Sequence, residues 1–257
     1  MKRMEILFIG DNLVKGSVGV NWVKRLAVKN PEWSVENAGV NGETLIKIKQ
    51  RLDKKLAECD YDVIFFEAGI NDLLIPAMTG KNFFYKQAQK YLLAKRYNPL
   101  SKPIAFEETF RRAISDIKSK TSATIILTTL SCINENLESS LNKKRCAYNH
   151  IIRDVAIETG CSLVDAGALF DGYLRRCRTK DYLLESFFNT AFYDKFQCNV
   201  LGCSDYLSKK RRLHLTVDGL HLNTRGAKIY RDETERLIKT LISSGIPFKL
   251  SHPLNTI

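Results

Sequence analysis

Short apolar runs alternate with longer amphipathic segments in the N-terminal half of the chain, and this alternation limits the possible folds most strongly. Residues 4–9 are almost wholly apolar and stop at Gly10, and residues 62–68 form a second run of this kind. Between them, residues 43–56 place leucine and isoleucine at helical spacing. Runs that are apolar on both faces are typical of buried parallel strands, which need helical crossovers. The pattern therefore predicts an α/β protein with a parallel sheet.

The same criteria predict the remaining elements. Three further strands are expected at residues 33–36, 123–130 and 162–164. Further helices are expected at residues 22–28, 106–118, 143–159 and 223–242.

Four short polar blocks follow predicted strands or precede the last predicted helix. They are Gly10-Asp11-Asn12-Leu13, residues 37–44 (NAGVNGET), Gly69-Ile70-Asn71-Asp72 and Asp218-Gly219-Leu220-His221. Ligands of open α/β sheets bind beyond the carboxyl ends of the strands. We therefore expect Asn12, Gly42, Asn71, Asp218 and His221 to converge on one pocket at that edge.

The last block points most directly to chemistry. Asp218 stands three residues before His221, a spacing at which one short turn can aim the carboxylate at the imidazole Nδ1. A histidine oriented in this way can act as a general base towards a nucleophile. The other histidines, His150, His214 and His252, have no such local partner and are interpreted as structural or exposed.

The middle blocks are less specific when each is taken alone. Asn41-Gly42 is then a turn, and Gly69-Ile70-Asn71-Asp72 is a strand-end turn whose polar side chains bond to local backbone. In order and approximate spacing, however, the four blocks together resemble those of the SGNH/GDSL hydrolase family. The resemblance implies a three-layer α/β/α sandwich with a five-stranded parallel sheet in flavodoxin-like order, forming a single domain over residues 1–257.

The resemblance also implies a mechanism. Asp218 and His221 correspond to two members of a Ser-His-Asp triad, with Asp11 in a supporting position. The oxyanion hole is assigned to the backbone N–H of Asn12, the backbone N–H of Gly42 and the side-chain amide of Asn71. The implied reaction is acyl transfer from carboxylic esters, as in esterases, lipases and acylhydrolases. The resemblance implies no metal and no organic cofactor.

One residue departs from the family pattern, because Asn12 stands where the nucleophilic serine is expected. A carboxamide nitrogen is a poor nucleophile that His221 cannot convert into an alkoxide equivalent. Three explanations stay open: a replacement of serine that leaves a binding site with little turnover, a natural hydrolase-like binding protein, or a different nucleophile. That nucleophile would be a water activated by His221 or the hydroxyl of Ser17, which is better explained as part of a Gly-rich turn.

The long connection at residues 171–215 leads directly into the Asp-His block. It holds eight tyrosines and phenylalanines: Tyr173, Tyr182, Phe187, Phe188, Phe192, Tyr193, Phe196 and Tyr206. Such a connection is either a lid or binding element or a helical embellishment with packed aromatic residues. The first alternative predicts that the segment borders the pocket and adds apolar surface to it. A second insertion is predicted at about residues 75–104.

Composition supports an ordinary globular domain. The chain has 257 residues, of which 44% are hydrophobic and 26% charged. No apolar run reaches the length of a membrane span or a signal-peptide core, so the expected location is cytoplasmic. Seven scattered cysteines without a Cys-x-x-Cys pair indicate reduced thiols rather than disulfides or a zinc site.

The net charge of +12 arises from 40 basic and 28 acidic residues. Two basic clusters stand out, Lys209-Lys210-Arg211-Arg212 and the group of Arg175, Arg176, Arg178 and Lys180. No recognisable nucleic-acid module surrounds them, so a solvated surface is favoured over nucleic-acid binding.

The sequence thus predicts a hydrolase of small carboxylic esters whose activity is impaired by Asn12. The alternative is a non-catalytic protein that binds its ligand in the same pocket, and a weaker alternative is a nucleic-acid-associated protein. The acyl and alcohol specificity and the oligomeric state do not follow from the sequence.

Overall fold

A five-stranded parallel sheet forms the centre of the computed structural model, which describes residues 3–80, 83–183 and 193–245. The strand order is β2-β1-β3-β4-β5, and every neighbouring pair is parallel. The predicted fold class and its flavodoxin-like order are confirmed. The strands are β1 (Met4–Gly10), β2 (Trp33–Gly39), β3 (Val63–Phe66), β4 (Thr124–Thr128) and β5 (Ser162–Val164).

Helices cover the sheet and connect its strands. They are α1 (Asn12–Lys15), α2 (Trp22–Lys29), α3 (Leu45–Glu58), α4 (Ile70–Ala77), α5 (Phe83–Ala94), α6 (Pro103–Lys120), α7 (Ser140–Thr159), α8 (Ala166–Leu174), α9 (Lys195–Asn199), α10 (Ser204–Lys210) and α11 (Thr224–Ser243).

Aromatic side chains fix the helices to the sheet from both sides. Trp22 of α2 meets Phe8 and Phe65 edge-on, with ring centroids 5.4 and 5.3 Å away, and Tyr230 of α11 packs on the same indole. On the other face, Phe66 packs against α6. Successive strand residues point to opposite faces, so adjacent phenylalanines of β3 serve both layers.

The opposite layer has its own aromatic contacts. Phe106 of α6 lies 4.2 Å from the Tyr148 ring of α7 and stacks on Phe110. All three side chains are buried. Together with the first cluster they hold helices on both faces, and the carboxyl ends of the strands stay free for the functional loops.

The observed element boundaries differ from the predicted ones mainly at the ends of β2, β3 and β4. β2 continues to Gly39, three residues beyond its predicted end, because its ladder with β1 pairs Gly10 with Gly39. β3 and β4 are shorter than predicted, and residues 67–69 already turn towards α4. The sequence patterns predict no helix at α1, α4, α5 or α8, whereas α9 and α10 lie in the connection for which a helical embellishment is one of the two alternatives.

The structure also bears on the cysteines and on membrane-spanning helices. All seven cysteines are free thiols. Within the described residues, no helix is both long and apolar enough to cross a membrane.

Candidate active site

Asn12 lies where β1 passes into α1, at the carboxyl edge of the sheet. The preceding Asp11 caps that helix: its Oδ1 accepts a hydrogen bond from the Leu13 N–H at 3.1 Å. Asn12 is therefore the first residue of α1. Backbone N–H groups in a first helical turn have no partner within the helix. The N–H of Asn12 therefore has no partner within α1, and its oxyanion role stays a prediction.

Asp218 and His221 form a hydrogen-bonded pair within one tight turn. Asp218 Oδ2 lies 2.7 Å from His221 Nδ1, and Oδ1 accepts from the backbone N–H groups of His221 at 2.8 Å and Leu220 at 3.1 Å. Asp218 is 1% and His221 5% exposed. The turn that links the two residues therefore also fixes the carboxylate towards the imidazole.

The electrostatics of this pair favour a protonated imidazole. Burial opposes charge on His221, but the attraction of Asp218 and its hydrogen bond outweigh burial and raise the His221 pKa above its ordinary value. Burial would likewise raise the pKa of Asp218, yet His221 holds it below the ordinary value. Burial also raises the pKa of the nearby Asp11 to about 7. The pair is thus suited to stabilise the imidazolium that forms when His221 accepts a proton.

Two predicted oxyanion donors lie next to position 12. Gly42 has φ of +81°, a conformation that L-residues with a side chain rarely adopt, and its N–H points at Asn12. Asn71 stands in the first turn of α4, and its Nδ2 donates to Asp11 Oδ2 at 3.1 Å and to the Glu43 carbonyl at 3.0 Å. These bonds fix the orientation of the amide and engage both of its N–H protons, so any further acceptor at position 12 shares one of them.

The Asn12 side chain occupies the point on which these donors converge. Its Oδ1 accepts from the Gly42 N–H at 2.6 Å and lies 3.4 Å from Asn71 Nδ2. Its Nδ2 lies 3.4 Å from His221 Nε2. When the imidazole is neutral with its proton on Nδ1, Nε2 carries a lone pair and can accept from this amide. The Asn12 carbonyl oxygen therefore already contacts the donors that the predicted oxyanion hole would offer to an ester carbonyl.

The structure brings together all five residues for which convergence was expected. Asn12 lies within hydrogen-bonding distance of Gly42, Asn71 and His221, and Asp218 lies behind the imidazole. Their catalytic roles stay predictions. The hydroxyl of Ser17 instead donates to Asn41 Oδ1 at 2.9 Å, within the neighbouring turn.

Glu135 holds the loop that carries the Asp-His pair. No sequence pattern singles out this residue. Its fully buried carboxylate accepts from the backbone N–H groups of His214 (2.6 Å), Leu215 (2.7 Å) and Thr216 (2.7 Å), and from the Thr216 hydroxyl (2.7 Å). Thr216 Oγ1 in turn accepts from the Gly219 N–H at 3.1 Å. The Glu135 carboxylate therefore anchors the start of the turn that presents His221.

We expect Glu135→Gln to lower the free energy of unfolding by about 1.5–3 kcal/mol, the range for hydrogen bonds to a charged group. The reason is that an amide has only one acceptor oxygen, so its NH₂ group faces one of the backbone donors. Urea denaturation measures the change. Glu138→Gln is the matched control, since Glu138 is exposed and its variant is expected within about 0.5 kcal/mol of the parent. Equal stability of both variants would contradict the anchoring role.

Two further polar residues stabilise the edge of the sheet. Asp72 Oδ2 accepts from the Leu45 N–H at 2.9 Å and Oδ1 from the Leu100 N–H at 2.8 Å, so it holds the start of α3. Arg51 donates to the carbonyls of Gly10 and Ala38 at the ends of β1 and β2. Only the position of Asp72 within a strand-end block gave a sequence signal for either residue.

The described part of residues 171–215 packs on the loop of the Asp-His pair. Cys198 and Leu207 form a small apolar cluster with Val217, and Arg211 donates to the Val217 carbonyl at 2.9 Å. Among the aromatic residues, however, Tyr193, Phe196 and Tyr206 are mostly exposed. Phe187, Phe188 and Phe192 lie outside the described residues, so the lid interpretation stays a prediction.

The sequence matches the model of the GDSL-like Lipase/Acylhydrolase family over residues 8–229, and the chain belongs to this family. The match begins in β1 and ends in α11, so it includes every residue of the site. No curated protein sequence matches the chain.

Solved structures with a similar fold include several esterases. LAE5, an alpha/beta hydrolase enzyme from the metagenome of Lake Arreo in Spain, is 19% identical over 96% of this chain and 97% of its own, with a TM-score of 0.59. Axe2, an acetylxylan esterase from Geobacillus stearothermophilus, is 21% identical over 96% and 95%, with a TM-score of 0.58. The acetyl xylan esterase AlAXEase is 16% identical over 91% and 100%, with a TM-score of 0.61. At these identities the likeness shows the fold.

Proposed function

We propose that this protein binds small carboxylic esters at the Asn12–His221 site and hydrolyses them slowly. The single observation that supports this most is the assembled Asp218–His221 pair facing oxyanion donors on Gly42 and Asn71. These are the parts that polarise an ester carbonyl and move a proton beside it. The family to which the chain belongs supports the same reaction class.

Asn12 determines how this reaction proceeds. Its amide cannot form an acyl-enzyme, so the attacking group is a water from which His221 Nε2 takes the proton. The Asn12 carboxamide must first rotate away from Gly42 to admit the ester carbonyl. Hydrolases that lose a triad member keep about 10³–10⁴-fold acceleration over water through binding and the oxyanion hole. Slow turnover is therefore compatible with this site.

The test substrate is p-nitrophenyl acetate, chosen because Axe2 and AlAXEase are described as acetylxylan esterases. We expect the parent chain to release p-nitrophenol faster than buffer does and without an initial burst, because no acyl-enzyme accumulates. The rate should rise with pH through a midpoint above 6.5, since His221 accepts a proton only when neutral and its pKa is raised. Stopped-flow absorbance across pH 5–9 shows whether a burst occurs and gives the midpoint of the pH dependence.

Two histidine variants provide the control. In His221→Ala, the rate above the buffer background should fall at least about tenfold. A general base typically contributes about 10²-fold or more, so this threshold is a low one. His150→Ala, an exposed position on α7, should leave the rate unchanged. A parent rate equal to that of His221→Ala would overturn the proposed hydrolysis.

A second candidate function is ligand binding without turnover. The carboxamide of Asn12 in the place of an ester carbonyl is the observation that favours it. In that case, acetate or an ester would shift the amide NMR signal of Gly42 while the parent chain and His221→Ala share the same background rate.

A further inference from the structure

A cavity of about 700 Å³ lies beside the loop that leads into the Asp-His pair. It lies between α10, the following residues 212–214 and the first turns of α11. It shares no lining residue with the Asn12–His221 site. Five of its lining residues are basic: Arg178, Lys209, Arg212, Arg225 and Lys228.

These residues unite parts of the chain that are distant in sequence. Arg178 comes from the basic cluster at residues 175–180, and Lys209 and Arg212 come from the cluster at residues 209–212. Arg225 and Lys228 come from α11. The fold thus brings basic residues from three separate segments of the sequence together on one concave surface.

Most of this charge is not neutralised by the protein. Lys228 pairs with Asp232, but within the described ranges the other four cations have no carboxylate at salt-bridge distance. Elsewhere on the surface, by contrast, Lys120 lies against both Asp53 and Asp116. Among the described lining residues, Asp205 is the one carboxylate, and it accepts from the Thr224 N–H at 3.0 Å. The cavity therefore keeps a clear excess of positive charge.

The floor of the cavity is preformed. The buried Asn223 amide donates to Ser208 Oγ at 2.8 Å and to the His214 carbonyl at 2.9 Å. Asn223 also caps the 20-residue helix α11, whose N-terminal end carries a partial positive charge. The exposed basic side chains therefore stand around a polar base that is itself fixed by hydrogen bonds.

We propose that this cavity binds a small ligand that carries a phosphate or diphosphate group. Its volume lies in the range of small-molecule sites, about 300–1,000 Å³. Guanidinium groups bind phosphate oxygens through paired N–H donors, and lysines add point charges. A compact anion fits this concave group of cations better than an extended polymer, which needs a long basic stripe.

Isothermal titration with inorganic pyrophosphate at low ionic strength tests the proposal. The parent chain is expected to bind one pyrophosphate. The double variant Arg178→Ala/Lys209→Ala should raise the dissociation constant for pyrophosphate at least tenfold. Arg112→Ala/Lys144→Ala removes the same charge from the exposed sides of α6 and α7 and should change it less than twofold. Circular dichroism confirms that both double variants fold.

Three results would overturn the proposal. One is the absence of saturable pyrophosphate binding by the parent chain. Another is equal weakening by the two double variants, which would indicate attraction by net charge alone. The third is a duplex oligonucleotide that binds more tightly than pyrophosphate and loses affinity with a steep salt dependence, which would assign this surface to nucleic acid.

Discussion

Asn12→Ser is expected to raise the rate of p-nitrophenyl acetate hydrolysis by about 10³-fold or more, since triad members act as a unit and the other members are in place. A serine hydroxyl at this position would lie next to His221 Nε2, which the Asn12 amide now approaches to 3.4 Å. It would also leave the Gly42 N–H free for the ester carbonyl. Initial rates of parent and variant, measured side by side, give the ratio.

The control for this gain is His221→Ala in the Asn12→Ser background, which should remove most of it. A serine-directed phosphonate should label the variant at position 12 and leave the parent unlabelled, because the reagent needs an activated hydroxyl. Labelling of Ser17 in the parent would contradict the role of Asn12 as the missing nucleophile. A folded Asn12→Ser variant that stays inert towards a panel of esters would favour the ligand-binding function.

Asp218→Asn, introduced into the Asn12→Ser background, is expected to remove most of the gain and so to lower kcat by about 10³–10⁴-fold, the upper value being the effect of the same change in serine proteases. Asp218 accepts the Nδ1 proton of His221 at 2.7 Å and so leaves Nε2 free to act as the base. An asparagine amide can instead donate to Nδ1 and stabilise the wrong tautomer. Esterase kinetics at saturating substrate measure the loss.

Asp232→Asn is the matched control, because Asp232 lies on the solvent side of α11 beside Lys228. Its kcat should stay within about twofold, as expected for a surface charge. An NMR titration of His221 adds a second readout: its pKa should fall in Asp218→Asn, since the attraction that raises it is removed. Activity that survives Asp218→Asn would mean that another group orients the imidazole.

Local sequence patterns predicted the sheet and the positions of the polar blocks because both depend on short-range features. Residues 63–66 are apolar without interruption, and such a run leaves few alternatives to a buried strand. Helix α4 escaped prediction for a related reason: residues 70–75 are all buried, so they lack the amphipathic period that marks a surface helix.

Two parts of the site depend on distant partners and could not be predicted. Glu135 binds backbone N–H groups about 80 positions away, and such donors have no side-chain signature in a sequence. The placement of the Asn12 carboxamide depends on its rotamer and on the approach of Gly42, 30 positions further on. The family resemblance implied that Asn12 stands at the nucleophile position, and the structure shows the contacts that its side chain makes with Gly42 and His221.

The short hydrogen bond between Gly42 and Asn12 also ranks the ligands that this site can accept. The carbonyl of an entering ligand competes for the Gly42 N–H with the side-chain carbonyl of Asn12, which is covalently attached to the chain. Tethered groups of this kind act at effective concentrations of about millimolar or more. Only molecules whose Asn12 has rotated away are competent, so the apparent dissociation constant rises by the inverse of that fraction. Charged acceptors form stronger hydrogen bonds than neutral ones. Carboxylates, the products of ester hydrolysis, should therefore displace the Asn12 side chain more readily than the esters themselves.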